Sequence, residues 1–156
     1  MNNEEIKNRN IKFDGFNLTK IRNVGNRSYW VHTSARNIVD LLYNMNILFE
    51  ELKISLSNKN NKEPSKLILS KLYWLFMQTC PFERGSAAIS EIIFSALLQK
   101  YFGCNFKLLS EPYNPRHIPG IHALTYPIEK FQDFFWEKLV SKNNNSRPGK
   151  ISKLTN

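Results

Sequence analysis

The feature that most constrains the fold is a long apolar stretch over residues 67–102, interrupted only by a short turn. The segment before the turn reads LILSKLYWLFMQT, and the segment after it reads AAISEIIFSALLQKYF. In both segments apolar residues cover more than one face of a helix, which is typical of helices buried on most sides. The pattern therefore predicts two core helices, over residues 64–79 and 86–101, with the second at the centre of the domain.

Elements on either side of this stretch complete the predicted architecture. Apolar residues at three- and four-residue spacing predict an amphipathic helix over residues 35–56, and Pro127 opens a last helix that extends to about residue 142. Upstream, alternating residues around the turn segment NVGNRS predict a β-hairpin or an irregular extended arm within residues 11–32. The sequence thus predicts a mainly all-α domain of four main helices with an N-terminal hairpin arm.

The remaining segments set the domain limits. Residues 110–126 hold three prolines and a glycine, which predicts an irregular segment that wraps against the domain. We expect a flexible N-terminus over residues 1–10, a single helical domain over residues 11–142 and a flexible basic tail over residues 143–156. A chain of 156 residues with 42% hydrophobic residues is long enough for one domain with a real core.

Bulk properties bound the compartment and the partners. Two cysteines provide no disulfide framework, which is consistent with a reducing compartment. The chain has no apolar run of the length of a membrane span and no apolar signal-peptide core near its start. We therefore expect a cytoplasmic protein without a transmembrane segment, with export by a signal-peptide-independent system left open.

The turn between the two predicted core helices holds the best candidate for an anion site. Gly85 permits close backbone approach, Arg84 supplies a fork of donors, and the early N–H groups of a helix favour an anion. Ser86 is a suitable N-cap, and Ser90, four residues later, shares its face of the helix. An alternative of equal weight is that Arg84 pairs with a neighbouring carboxylate or carbonyl.

Cys80, at the start of the turn, has three interpretations. It could be a nucleophile whose thiolate a helix N-terminus favours, with His117 or His122 as base. It could join Cys104 and the two histidines around zinc, although the spacings match no familiar finger or ribbon. The favoured interpretation is a small buried hydrophobe. We predict no metal site and no cofactor.

The segment CPFERGSAA, set between two helices, resembles the pattern of the Fic (Fido) family, His-Pro-Phe-x-(Asp or Glu)-Gly-Asn-Gly-Arg. That family usually transfers AMP from ATP to a protein hydroxyl. Pro81, Phe82 and Gly85 match the pattern, and the resemblance implies that Phe82 anchors the loop in the core. Cys80 stands at the position of the family's general-base His, and Arg84 at the position of its Mg²⁺-binding acid.

The departures from the pattern fall on the chemistry rather than on the scaffold. Ser86, Ala87 and Ala88 stand where the family has the Asn, Gly and Arg of its phosphate cradle. The resemblance therefore implies a catalytically inactive Fic-like domain that acts as a protein-interaction module, such as a secreted bacterial effector or a regulatory subunit. Arg84 and the N–H groups of Ser86 and Ala87 could still hold an anion or a nucleotide.

The resemblance also implies a role for the predicted hairpin, because Fic-like proteins carry a hairpin flap that presents the target segment. The favoured alternative is an arm that merely covers the core.

Two other functions stay open at this stage. One is a divergent Fic-like transferase acting on a nucleotide or another phosphate-containing substrate. The other is a basic helical module that contacts nucleic acid, since the formal net charge is +9. The basic residues are spread over the N-terminal arm and the tail, and no predicted helix carries a basic stripe, so nucleic acid is the less favoured partner.

Overall fold

The computed structural model describes residues 20–58, 61–81, 85–107 and 119–142. A β-hairpin comes first, followed by three long helices and then by short helices and strands. The bounds are β1 (Lys20–Val24), β2 (Arg27–Val31), α1 (Ala35–Ser57), α2 (Glu63–Thr79), α3 (Ser86–Leu97), β3 (Cys104–Phe106), α4 (Pro119–Thr125), α5 (Ile128–Phe134) and β4 (Val140–Lys142). The predicted mainly all-α fold class is confirmed. The predicted flexible ends, residues 1–10 and 143–156, lie outside the described residues.

Helix α2 is the centre of the domain. It packs against α1, α3, α4 and α5, and Leu69, Tyr73 and Trp74 along it are fully buried. The Tyr73 ring lies 5.0 Å from the Phe94 ring and 5.9 Å from the Phe131 ring, measured between centroids. Edge-to-face and offset aromatic pairs of this kind stabilise a core beyond the burial of their area.

Side-chain hydrogen bonds fix the C-terminal elements to α2. The Trp74 indole N–H donates to the Tyr126 carbonyl at 2.8 Å, and the Gln78 amide donates to the Ala123 carbonyl at 2.8 Å. In the opposite direction, the Trp136 indole donates to the Lys66 carbonyl of α2 at 3.0 Å. Buried donors are thereby satisfied, and each bond sets the position of one segment relative to α2.

The predicted central position of the second core helix is wrong, because the central buried helix is α2. In α3 only Ser86, Ser90 and Phe94 are buried, whereas Ile92 and Ile93 are exposed. The helix does have the predicted start and length, since a π-helical turn (Leu98–Phe102) continues it to Gly103. Apolar residues around most of the circumference predicted burial, but Ile92 and Ile93 lie on a side of α3 that stays exposed.

Two predictions about the C-terminal third need correction. Within the segment predicted to be irregular, Pro119 begins helix α4, at a position where a helix needs no N–H from its first residue. Gly120 lies against α2, where an added Cβ would be 3.1 Å from the Met77 methyl carbon. This close approach favours glycine at position 120. In the sequence the same glycine had indicated a loop.

The last helix is shorter than predicted. It consists of α5 and a π-helical turn (Phe135–Leu139), and the chain then becomes strand β4 instead of continuing as a helix to residue 142. Strand β4 pairs antiparallel with β3, with Phe106 opposite Val140. This non-local pairing provides hydrogen-bond partners for backbone groups of residues 140–142. A local helical pattern in the sequence could not show the pairing.

The predicted hairpin is confirmed as β1 and β2, joined by a two-residue loop of Gly25 and Asn26. Gly25 has a φ of 59°, which glycine adopts without steric cost. Exposed side chains extend along the hairpin, including Tyr29 and Trp30. This exposure argues against an arm that covers the core. No helix among the described residues is both long enough and apolar enough to span a membrane.

Candidate functional site

Cys80 follows the last residue of α2 and is held in a local structure that does not activate its thiol. The thiol donates to the Met77 carbonyl at 2.8 Å, and burial raises the pKa of Cys80 above its ordinary value. The residue follows the C-terminal end of α2, where the helix dipole disfavours a thiolate. The expectation that a helix N-terminus favours the Cys80 thiolate is therefore wrong.

The N-cap position of α3 is occupied by Gly85 and not by Ser86, which is the first residue of the helix. Gly85 has a φ of 82°, and its carbonyl accepts a hydrogen bond from the Ile89 N–H at 2.9 Å. The prediction of Ser86 as N-cap is wrong by one position, because glycine at position 85 adopts the left-handed conformation that begins the helix.

The predicted polar strip of Ser86 and Ser90 faces the protein interior. Both residues are buried, and the Ser90 hydroxyl donates to the Ala87 carbonyl at 2.7 Å. The Ser90 oxygen also lies 3.2 Å from the Met77 sulfur, at the contact between α3 and α2. Ala87 is exposed. The structure thus separates Ser90 from any anion that approaches the start of α3 from solvent.

Two buried or half-buried groups accompany this contact. Burial raises the pKa of the Tyr73 phenol, whose oxygen lies 3.5 Å from the Ser90 oxygen. Burial also raises the pKa of the Glu91 carboxyl above its ordinary value of 4.5. Both shifts follow from removal of a charged form from water.

Other predicted site residues do not meet in the described part of the chain. Phe82, Arg84 and His117 lie outside the described residues, so the anchor role of Phe82 and the anion contact of Arg84 stay predictions. The His122 ring packs against aromatic neighbours, with its centroid 4.4 Å from the Phe134 ring. Within the described ranges no group of three or more His, Cys, Asp or Glu residues could hold a metal ion.

The structure reveals a groove that the sequence analysis missed. It lies between α1, α2 and α3 and has a volume of about 300 Å³. Side chains from all three helices form its walls and floor: Leu42, Met45, Asn46 and Phe49 from α1, Leu72 and Phe76 from α2, and Ile93, Phe94 and Leu97 from α3. Three of these large apolar side chains are exposed, at 44% for Leu42, 42% for Phe49 and 45% for Ile93.

The groove exists because the apolar stripe of α1 is wider than its contact with the core. Leu41, Leu48 and Leu52 face the core and are buried, whereas Leu42 and Phe49 lie further around the same helix. The width of the stripe was visible in the sequence, and it is the signal that could have indicated an unpartnered strip. Which edge of the stripe stays open depends on the position of α3, which the sequence pattern does not give.

The groove has almost no polar character. Among the described lining residues, Asn46 is the one polar side chain and none is ionisable. Near Phe49, Lys53 forms an ion pair with Glu50 at 2.8 Å, with its nitrogen 5.9 Å from the centroid of the Phe49 ring. Such a surface can bind apolar side chains.

Comparison with known proteins assigns no family, since no family model, curated protein or solved structure matches the chain.

Proposed function

We propose that this chain is a protein-interaction module whose groove between α1, α2 and α3 binds an amphipathic helix of a partner protein. The observation that carries the proposal is the exposure of Leu42, Phe49 and Ile93 around one apolar groove. Apolar side chains left in water are a site of favourable association, because covering them releases hydration water. Grooves between helices bind helical segments through apolar residues at positions i, i+3 or i+4, and i+7.

The lining favours a helix over a small ligand. Small-molecule sites combine apolar walls with a few convergent polar groups that fix the orientation of the ligand. In the described part of the lining Asn46 is the one polar group. A partner helix needs no such polar anchors, because the regular spacing of its apolar residues sets its register.

The charge of the chain indicates the polar face of the partner. The formal net charge is +9, so an approaching segment with acidic residues on its outer face is steered towards the domain. The proposed partner segment therefore carries large aliphatic residues on one face and Asp or Glu on the other.

The resemblance to the Fic family supports a catalytically inactive Fic-like domain as the scaffold of this module. At the position of the family's general base, Cys80 has a raised pKa and donates a hydrogen bond to the Met77 carbonyl. This geometry gives no support to transfer of AMP, so transferase activity is not part of the proposal. The proposed setting is the cytosol, of the producing cell or of a cell that receives the exported protein, and Cys80 and Cys104 are free thiols in keeping with it.

A designed peptide tests the proposal. The probe is a fluorescent helical peptide with Leu at i, i+3, i+7 and i+10 and Glu on the opposite face, and binding is followed by anisotropy. We expect Ile93→Asp and Phe49→Asp each to weaken binding by roughly 10- to 100-fold, since burying one such side chain contributes about 1.5–3 kcal/mol. Ile54→Asp is the matched control, because Ile54 is exposed on α1 but does not line the groove.

Two results contradict the proposal. A peptide of the same composition with scrambled Leu positions should bind much more weakly, and equal binding would mean that charge alone drives the association. Sedimentation of the free protein is the second check. If the parent forms a dimer that Ile93→Asp converts to a monomer, the groove is covered by a second copy and not by a partner helix.

A further inference from the structure

One face of the β1–β2 hairpin collects three cations. Side chains alternate between the two faces of each strand, and directly opposed residues share a face. Arg22 is opposite Tyr29, and Arg27 is opposite Val24. Together with Lys20 on the same strand as Arg22, the two arginines therefore lie on one face, and all three residues are exposed.

This face has no acidic residue near it in the sequence. Between Asp14 and Asp40 the chain contains no Asp or Glu. The cations of the hairpin thus form a local positive surface that no neighbouring carboxylate along this segment neutralises. A positive surface of this kind favours a ligand with closely spaced negative charges.

An aromatic ring lies among these cations. Tyr29 is 48% exposed and is opposite Arg22 in the register. An exposed aromatic ring flanked by Lys and Arg is the arrangement that binds the two parts of a nucleic acid strand, with cations at the phosphates and the ring under a base.

We propose that this hairpin face binds single-stranded nucleic acid. Lys20, Arg22 and Arg27 contact phosphates, and Tyr29 stacks on an unpaired base. Binding of this kind is tolerant of sequence, because every base offers a flat face and every nucleotide a phosphate. The inference is independent of the groove, which lies on α1, α2 and α3.

The pairing on this face favours an unpaired strand over a membrane surface. Each cross-strand pair joins a cation to an apolar or aromatic residue: Lys20 with Val31, Arg22 with Tyr29, and Arg27 with Val24. A membrane-surface element separates an apolar face from a charged one. Here both kinds of side chain alternate on one face, which matches a ligand whose phosphates and bases also alternate.

The strand register shows which basic residues of the hairpin share a face, and the sequence alone did not show this. In the sequence the basic residues of this segment are scattered, and no predicted helix carries a basic stripe. The hairpin brings Arg22 and Arg27 to one face from two strands. The prediction that nucleic acid is a disfavoured partner is replaced here by the opposite proposal.

Anisotropy of a labelled, unstructured single strand of about 12 pyrimidine nucleotides tests the proposal with the full chain. Arg22→Gln with Arg27→Gln should weaken binding and reduce the slope of log K against log salt by about 1.4, since each phosphate contact on a single strand contributes about 0.7. Tyr29→Val keeps a strand-forming residue and should weaken binding roughly 5- to 150-fold without changing that slope. Lys130→Gln with Lys138→Gln removes the same charge from the C-terminal region and should leave the slope unchanged.

Three outcomes would overturn the proposal. The first is a parent that binds no strand at low salt, and the second is a Lys130/Lys138 variant that loses as much affinity as the Arg22/Arg27 variant. The third is a preference for a duplex of the same length or for vesicles containing anionic lipid. A circular dichroism spectrum equal to that of the parent confirms that each variant is folded.

Discussion

Helices α2 and α3 have similar apolar sequences, yet the fold buries one on most sides and leaves the other half open. Along α2, Leu69, Tyr73 and Trp74 are fully buried, whereas in α3 Ile92 is 72% exposed. The difference lies in their neighbours, since α2 is surrounded by α1, α3, α4 and α5. Apolar content therefore predicts that a helix forms, but the packing of other elements decides how many of its sides are buried.

The comparison also explains where a binding surface arises. A helix that carries more apolar residues than its neighbours cover leaves some of them in water. On α3 one of these residues, Ile93, borders the groove that α1 leaves open. Burying such residues against a partner contributes the same stabilisation that burial in the core would. The half-open helix is thus the proposed binding element, and the buried helix is its support.

The same substitution placed on each helix should give the largest contrast. Leu69→Asp should abolish cooperative folding, because it puts an unpaired charge at a fully buried position. Ile92→Asp should change the free energy of unfolding by less than about 1 kcal/mol, because that position is exposed. Thermal melts of the two variants measure the difference. Equal melting temperatures for the two proteins would show that the assignment of buried and open helices is wrong.

The turn between the helices offers a smaller contrast at its two ends. Cys80 and Gly85 both have left-handed backbone, with φ of 43° and 82°. Cys80→Gly should be more stable than Cys80→Ala by about 1 kcal/mol, since only glycine adopts this conformation without steric cost. Because both variants lack the thiol, its loss does not contribute to the difference in their free energies of unfolding. Conversely, Gly85→Ala should destabilise by about 1 kcal/mol, and denaturant unfolding of the three variants provides the measurement.

The half-buried carboxyl of Glu91 on α3 should give the smallest effect, as a pH dependence. Burial raises its pKa in the folded chain above the ordinary value of 4.5, so the folded state binds this proton more tightly than the unfolded state. The associated stability is full below pH 4.5 and is lost as the pH rises through the folded-state pKa. Glu91→Gln should remove this decline in melting temperature, whereas Glu51→Gln, at an exposed position of α1, should retain it. A decline that persists in Glu91→Gln would assign it to another group.

The sequence predicted the elements better than their surroundings. The starts of α1 and α3 and the presence of the hairpin followed from periodicity and turn residues, which are local properties. The helix at Pro119 and strand β4 were missed, because they depend on contact with Met77 and on pairing with β3. These are non-local interactions that no short window of sequence contains.

The candidate sites show the same division. Residues of the turn could be singled out from their types, but the sequence could not show that Ser90 faces α2. The groove and the basic hairpin face were both missed. Each depends on which side of an element remains open, and that is decided by the tertiary packing and the strand register.

The central claim is that the apolar surface shared by α1 and α3 is a binding site. A methyl NMR titration with the designed Leu/Glu helical peptide tests this claim most directly. The account predicts that the methyl signals of Leu42, Ile93 and Leu97 shift on addition of the peptide. The signals of Leu69, in the core, and of Ile54, on the outer side of α1, should stay in place. Shifts at Ile54 without shifts at Leu42 and Ile93, or no shifts at millimolar peptide, would contradict the account.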